Sequence, residues 1–127
     1  MSKLSFNILR IGTAITFIWI GFLILKTPEA WGGYLQPWAV KLLPAPIAEV
    51  MTVTGILDIC LGACLLFNIL VWIAALLAAL HIVIILVTSG ITDVTVRDIA
   101  ILAGTIALLI ESLPENYKNK LYKHESR

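Results

Sequence analysis

Two ionisable residues, Asp58 and His81, lie inside apolar stretches of the chain that are long enough to cross a membrane. One charge at the centre of a bilayer costs about 2.5–3.5 kcal/mol, so a residue that stays ionisable there usually has a role. Histidine is the side chain that naturally titrates near neutral pH, and a neighbouring carboxylate would hold its ring tautomer. The two residues predict either a proton-handling pair beside a redox ligand or a hydrogen-bonded clasp that fixes the helix register.

The spacing of the two residues from a short turn places them at nearly the same depth. Asp58 lies twelve residues before Leu70, the centre of the turn, and His81 lies eleven residues after it. At 1.5 Å per residue these separations are roughly 18 and 16 Å, within one helical turn of each other. Small residues share a helix face with each of them, a pattern typical of helix packing in lipid. The sequence therefore predicts a buried polar layer made of Thr16, Asp58, His81 and Thr105.

The composition indicates a membrane protein. Of the 127 residues 60% are hydrophobic and 13% are charged, and the mean hydropathy is +0.98. A soluble globular protein has roughly 45–50% apolar residues. The net charge of +1 gives no general attraction to nucleic acid. The sequence contains no Gly-rich phosphate loop, no metal-spaced Cys/His cluster and no Ser/His/Asp arrangement, so no metal site is expected.

Four hydrophobic runs match the roughly 30 Å hydrocarbon core of a bilayer. They cover residues 8–25, 47–67, 71–88 and 96–113, and helices are the expected spanning form because backbone groups in lipid must pair internally. The predicted fold is all-α, an antiparallel bundle of four transmembrane helices. Residues 1–113 form the transmembrane domain, and residues 114–127 form a polar, basic tail that lies in water.

Lysine and arginine are distributed unequally between the two sides of this topology. With an even number of spans both termini lie on one side, and the side richer in Lys and Arg is expected to be cytoplasmic. We therefore predict cytoplasmic termini in the cell membrane. The terminal side carries Lys3, Arg10, Lys118, Lys120, Lys123 and Arg127, and the opposite side carries Lys26, Lys41 and Arg97.

One long connection, residues 27–45, joins the first two predicted spans and contains Trp31, Tyr34 and Trp38. Trp and Tyr concentrate at the level of the lipid headgroups because their rings are apolar with one polar group. The segment is therefore either an interfacial anchor on the outer face or a lid over a lateral pocket. In the second case its aromatic rings could meet a flat ligand such as a quinone.

Charged residues also stand at the ends of the predicted spans. Arg10 opens the first span and Glu111 closes the fourth, which predicts an ion pair that fastens the first helix to the last. On the other side Asp98 follows Thr95 by three residues, so we expect Asp98 to complete an N-terminal cap of the fourth helix.

Arg97 is not required by such a cap. It could pair with Glu49, which lies in the first turn of the second span on the same side. Alternatively, Arg97 could bind an anionic headgroup or an anionic substrate. These two roles remain open.

The order and spacing of several short motifs resemble the DoxX family of small four-helix membrane proteins. The resemblance extends from about residue 8 to residue 113. Two positions depart from the family pattern, since Asp58 stands where the family usually has Glu and Asn68 where it often has Gly. The matching residues are Arg10-Ile11-Gly12, Phe17, Trp19, Gly21 and Lys26, then Gly55, Asp58 and Gly62, and finally Arg97-Asp98.

The resemblance implies a membrane subunit linked to quinone-dependent redox metabolism. Some relatives belong to thiosulfate:quinone oxidoreductases, and others are associated with oxidative-stress partners. This chain has no expected ligands for haem, flavin or iron–sulfur clusters. Electrons would therefore have to come from a redox partner subunit or from a diffusing quinone.

Three functions follow as hypotheses. In the first, the protein is a quinone-interacting subunit in which Asp58 and His81 exchange the proton and Trp19, Trp31 and Trp38 line the approach. In the second, it is a non-enzymatic scaffold or assembly subunit whose polar layer only secures helix packing. In the third, it carries a small solute or lipid, which would require a homo-oligomer because four helices are few to enclose a pathway.

Overall fold

The chain is all-helical throughout residues 1–126, the part that the computed structural model describes. Within this part no strand occurs, and Arg127, counted above among the basic residues of the tail, lies outside it. The seven helices of residues 1–126 are α1 (Lys3–Lys26), α2 (Pro28–Gly32), α3 (Pro37–Lys41), α4 (Ile47–Leu66), α5 (Val71–Ser89), α6 (Val96–Ser112) and α7 (Glu115–Glu125).

Helices α1, α4 and α5 are long and apolar enough to cross a membrane by length and composition. Helix α6 coincides with the fourth predicted span, but it has 17 residues and therefore a length of about 26 Å. It also carries charged residues at both ends, Arg97 and Asp98 at the start and Glu111 near the finish. The three helices α1, α4 and α5 indicate a membrane protein.

The closest approach between helices is that of α1 and α4, which run antiparallel. A Cβ atom added to Gly21 would lie 2.7 Å from the carbonyl oxygen of Gly55. One heptad further along, a Cβ on Gly62 would lie 2.8 Å from the carbonyl oxygen of Ala14. Small residues at these two crossings let the backbones pack without intervening side chains, as is common for helices in lipid.

The turn between α4 and α5 is tight and contains two left-handed residues. The N–H of Ile69 donates to the carbonyl of Cys64 (2.8 Å), and the N–H of Asn68 donates to that of Leu65 (3.3 Å). These bonds form a Schellman motif, which ends a helix with a left-handed residue. Asn68 has φ 58° and Leu70 has φ 46°. The turn reverses the chain, so α4 and α5 become antiparallel neighbours.

The buried side chains combine alanines with several larger apolar residues, and many large apolar residues face outward. A surface of this kind is unfavourable in water, where monomers rarely expose apolar patches larger than a few hundred Å². The buried cluster consists of Ala14, Phe17, Leu61, Leu65, Val71, Ala74, Ala78 and Ile82. The outward-facing residues include Ile8, Ile15, Phe22, Val53, Ile56, Leu80, Ile84, Val87, Ile99 and Ile106.

The segment between α1 and α4 folds against the ends of the long helices. Helix α2 packs on α4, where Gly32 is buried beside Ile47. The backbone N–H of Gln36 donates to the carbonyl of Thr88 near the end of α5 (2.9 Å). The aromatic segment is therefore attached to both α4 and α5 at one end of the molecule.

The tight crossing of α1 and α4 predicts a large difference between two Gly→Ala substitutions. Gly62→Ala should lower the free energy of unfolding by about 1–3 kcal/mol, because its new methyl group would meet backbone atoms of α1. Gly12→Ala is the matched control: its Cβ would meet nothing within 4 Å, and we expect it to stabilise α1 by up to about 1 kcal/mol. Unfolding in mixed micelles of increasing SDS content measures both. Equal effects of the two substitutions would contradict the close crossing.

Candidate functional site

Asp58 lies on α4 between the two points at which this helix packs closely on α1. It follows Gly55 by three residues and precedes Gly62 by four, so all three share one face of the helix. Its side chain is only 4% exposed. His81 lies on α5 between the buried residues Ala78 and Ile82, and its side chain is 12% exposed. The imidazole is thus the more accessible member of the pair.

The structure brings Asp58 and His81 together. Nε2 of His81 is 3.0 Å from Oδ1 of Asp58, which is within ion-pair distance. The direction of the ring nitrogen does not satisfy the geometry of a hydrogen bond, and both atoms are buried without a hydrogen-bond partner in residues 1–126. The two side chains are therefore in contact without a directed hydrogen bond between them. Unpaired buried polar atoms are rare and require an explanation.

A third ionisable residue belongs to this neighbourhood. Asp98 lies in the first turn of α6 and is half-buried. Its carboxyl group is close enough to Asp58 and His81 for the charges of both to act on it, and it also interacts with the adjacent Arg97. Asp98 on α6 is therefore a neighbour of the ionisable groups on α4 and α5, and it lies in the first turn of its helix. No pattern in the sequence connects Asp98 with the pair.

The N-terminal cap expected from Thr95 and Asp98 is not formed. Thr95 has helical backbone angles (φ −76°, ψ −15°), whereas a capping residue normally has an extended conformation. Its hydroxyl instead donates to the carbonyl of Gly90 at 2.5 Å and accepts from the N–H of Thr92 at 2.7 Å. The N–H of Thr95 donates to the hydroxyl of Thr92 (3.1 Å). These bonds close the loop before α6 and leave Asp98 out of it.

The two threonines of the predicted polar layer do not join the Asp58–His81 pair through hydrogen bonds. Thr16 donates to the carbonyl of Gly12 (3.0 Å), and the fully buried Thr105 donates to that of Leu102 (2.9 Å). A hydroxyl in apolar surroundings readily bonds a carbonyl of its own helix, and this removes it from any layer between helices.

The three tryptophans predicted to line the approach occupy separate places. Trp19 is 68% exposed, and it lies two residues from both Phe17 and Gly21, so it faces away from the buried side of α1. Trp31 stacks at a tilt on Tyr34, with ring centroids 5.9 Å apart. Trp38 donates from Nε1 to Oε1 of Gln36 (2.6 Å) and is largely exposed.

Helix α4 begins at Ile47, just after the aromatic segment, and Asp58 lies eleven residues further along the helix. This is about 17 Å along the helix axis. The aromatic residues of the segment therefore lie near the start of α4, and the Asp58–His81 pair lies farther from that end of the molecule. The shallow open cavity lined by Thr27, Pro28, Glu29 and Ala30 is also at the end of α1 and does not include the pair.

The predicted ion pair between Arg10 and Glu111 is not formed. Nη1 of Arg10 donates to the carbonyls of Leu65 (2.5 Å) and Leu66 (2.9 Å), the last residues of α4. The last carbonyls of a helix lack intrahelical partners and carry partial negative charge, so they attract a buried guanidinium. Glu111 instead accepts from the N-terminal ammonium group (3.2 Å) and from Lys118 (3.5 Å).

Arg97 and Glu49 do not pair either, and both side chains are exposed. Nε of Arg97 donates to the carbonyl of Val94 over a long distance of 3.4 Å. The other predicted role of Arg97, binding an anionic headgroup or substrate, stays a prediction.

Energetic coupling between Asp58 and His81 is the first prediction from this geometry. Asp58→Val or His81→Leu alone would leave one ionisable group buried without its partner, whereas the double variant removes both. We expect the double variant to lose less stability than the sum of the single variants, by about 1 kcal/mol. The same SDS titration measures all three variants. The pair Thr16→Val and Thr105→Val is the control and should be additive, because each hydroxyl bonds only its own helix.

The contact of Arg10 with α4 gives a second prediction. Arg10→Lys keeps the charge, but its ammonium group ends one bond short of the position of Nη1, the nitrogen that donates to both carbonyls. The substitution should lower the free energy of unfolding by about 1–2 kcal/mol. The matched control is Arg97→Lys, which we expect to change it by less than about 0.5 kcal/mol because Arg97 is exposed. Thermal unfolding in detergent gives the comparison, and a larger effect at Arg97 would contradict this role of Arg10.

Comparisons of the chain with protein-family models, with curated proteins and with solved structures found no match. The resemblance to the DoxX family therefore stays a prediction from the sequence motifs.

Proposed function

We propose that this protein is a four-span, DoxX-like integral membrane protein that exchanges protons with a quinone as a subunit of a membrane redox complex. Helices α1, α4, α5 and α6 are the spans of an antiparallel bundle, and both termini lie in the cytoplasm. The bundle is supported by the contacts that join α1 to α4, α4 to α5, α5 to α6 and α1 to α6. The orientation is supported by the excess of Lys and Arg at the terminal side.

The observation that supports proton exchange most directly is the contact between Asp58 and His81 within apolar helices. Their nearest atoms are 3.0 Å apart, and neither has a hydrogen-bond partner in the described chain. An imidazole and a carboxylate at this distance can pass a proton after a small rotation of the ring. A structural clasp of the same shape could be made from uncharged amides without the cost of ionisable groups in lipid.

The side chains fit a quinone headgroup by their chemistry. A quinone carbonyl accepts a hydrogen bond, which the imidazole of His81 can donate, and a quinol hydroxyl donates one, which the carboxylate of Asp58 can accept. Part of the His81 side chain is exposed, so a ligand dissolved in the membrane can reach it. When bound, the quinone supplies the two-electron redox couple, and the electrons come from a partner subunit.

Asp98 offers the pair a connection toward the aqueous phase. It stands in the first turn of α6, next to the exposed Arg97. Its electrostatic coupling to both Asp58 and His81 means that a change of charge in the pair is felt at the outer end of α6. We propose that protons enter and leave the pair from this side.

A scaffold function is the second candidate, and one observation favours it. Asp58 lies between the two tightest crossings of α1 and α4, where any polar contact would also fix the register of the helices. In addition, the open cavity at residues 27–30 is not beside the pair. Under this alternative the pair secures assembly, and substitutions in it change stability without changing ligand affinity.

Quinone affinity of the full-length protein in nanodiscs separates the two candidates. Quenching of the native tryptophan fluorescence by a short-tailed benzoquinone and by its quinol gives both dissociation constants. We expect His81→Gln to weaken quinone binding about tenfold, and Asp58→Asn to weaken quinol binding about tenfold, each through the loss of one strong hydrogen bond. Thr16→Val is the control and should change neither constant by more than about twofold.

The same variants are compared by thermal unfolding, so that loss of binding is not confused with loss of the fold. Absence of quinone and quinol binding by the unsubstituted protein, alone and with its co-purifying partners, would reject the proton-exchange function. If the variants then still lower the melting temperature, the scaffold function is supported.

A further inference from the structure

The C-terminal helix α7 begins immediately after α6 and buries none of its residues. Only Leu113 and Pro114 separate the two helices, and Lys118 reaches back to Glu111 over 3.5 Å. If α6 spans the membrane as proposed above, α7 starts at the level of the lipid headgroups. The polarity of residues 114–127 predicted that they lie in water, but helix α7 gives residues 115–125 two distinct faces.

One face of α7 is apolar and is bordered by lysines. Tyr117 and Leu121 are four residues apart and form a single exposed stripe. At about 100° per residue, Lys118 and Lys120 lie about 80° to either side of this stripe. Lys123 lies about 140° from it, on the opposite face. The helix therefore has an apolar stripe between two cations, and its third lysine points elsewhere.

The arrangement suits the boundary between headgroups and acyl chains. A tyrosine and a leucine can enter this boundary while the flexible stems of neighbouring lysines extend to the phosphates. Eleven residues are too few for a helix to be stable by itself in water, so a surface that covers the stripe would also stabilise α7. The bilayer that α6 leaves is the nearest such surface.

The positive charge of α7 favours anionic lipids. The two lysines that border the stripe would stand close to the membrane surface, where cationic side chains are attracted by anionic headgroups. Glu115 lies about 140° from the stripe and so faces away from the surface. Glu125 lies about 60° from the stripe, on the membrane side, but at the last position of the helix. The membrane side of α7 is therefore mainly cationic over most of its length.

We propose that α7 is a lipid-binding element that lies flat on the cytoplasmic membrane surface and prefers anionic phospholipids. Tyr117 and Leu121 enter the boundary layer, and Lys120 binds lipid phosphates. Lys118, which also contacts Glu111, borders the other side of the stripe. This proposal rests on the membrane topology proposed above, but not on the quinone chemistry. It assigns to the tail a binding function for the negatively charged lipids around the bundle.

Hydrogen–deuterium exchange of the full-length protein in nanodiscs tests the proposal. Nanodiscs of phosphatidylcholine alone are compared with nanodiscs that also contain phosphatidylglycerol. We expect the amides of residues 115–125 to exchange at least about fivefold more slowly in the anionic lipid, which corresponds to one lysine–lipid attraction. This protection should decrease at high salt, because screening shortens the range of the attraction.

Two lysine variants provide the matched comparison. Lys120→Gln should remove most of the difference between the two lipids, whereas Lys123→Gln removes the same charge from the opposite face and should leave most of it. Leu121→Ser should accelerate exchange in both lipids by weakening the apolar contact. Lys118 is not used, since it also contacts Glu111.

Equal exchange of residues 115–125 in both lipids would overturn the proposal, and so would equal effects of Lys120→Gln and Lys123→Gln. Exchange of residues 47–66 and 71–89 in the same samples reports on the bundle itself. If those amides are protected while α7 is insensitive to lipid charge, only the lipid-binding role fails. If they exchange rapidly, the membrane topology fails instead.

Discussion

Helices α1 and α4 approach each other so closely that one glycine on each helix, Gly21 and Gly62, has no space for a side chain. Gly55 and Gly62 contact the backbone of α1 at points one heptad apart. Asp58 lies between these points on the same face, so its carboxylate cannot turn toward the lipid. The adjoining turn brings α5 back alongside α4, and His81 is then the ionisable group within reach. The contact between Asp58 and His81 is thus a consequence of backbone packing.

Polar groups within the helices are satisfied mainly by carbonyls, and this explains where the sequence predictions succeeded and failed. The positions of the long helices and the common depth of Asp58 and His81 followed from hydrophobic length and from the rise per residue. The partners of Arg10 and Thr105 were not predicted, because matching side chains with one another leaves out the free backbone carbonyls as acceptors. Arg10 binds the end of α4, and Thr105 binds its own helix. Arg10 and Ala14 are four residues apart and share the buried face of α1. This spacing was the sequence signal that Arg10 faces α4.

The proximity of Asp98 to the pair could not be predicted from local rules either. A carboxylate in the first turn of a helix is common without any function, and that general rule suggested a cap. Only the packing of α5 on α6 brings this residue near His81, and the loop bonds of Thr92 and Thr95 release it from capping. Tertiary packing thus determines which of several ordinary acidic residues takes part in a site.

The form of the contact between Asp58 and His81 bears on its purpose. A clasp between helices gains most of its stability from a well-directed hydrogen bond, and buried ionised pairs are often no more stabilising than uncharged substitutes. Here the distance is short, but the ring nitrogen is not directed at the carboxylate oxygen. This geometry supports the proposed proton exchange, because it keeps a proton donor and a proton acceptor available to another group and leaves the imidazole as the more exposed member.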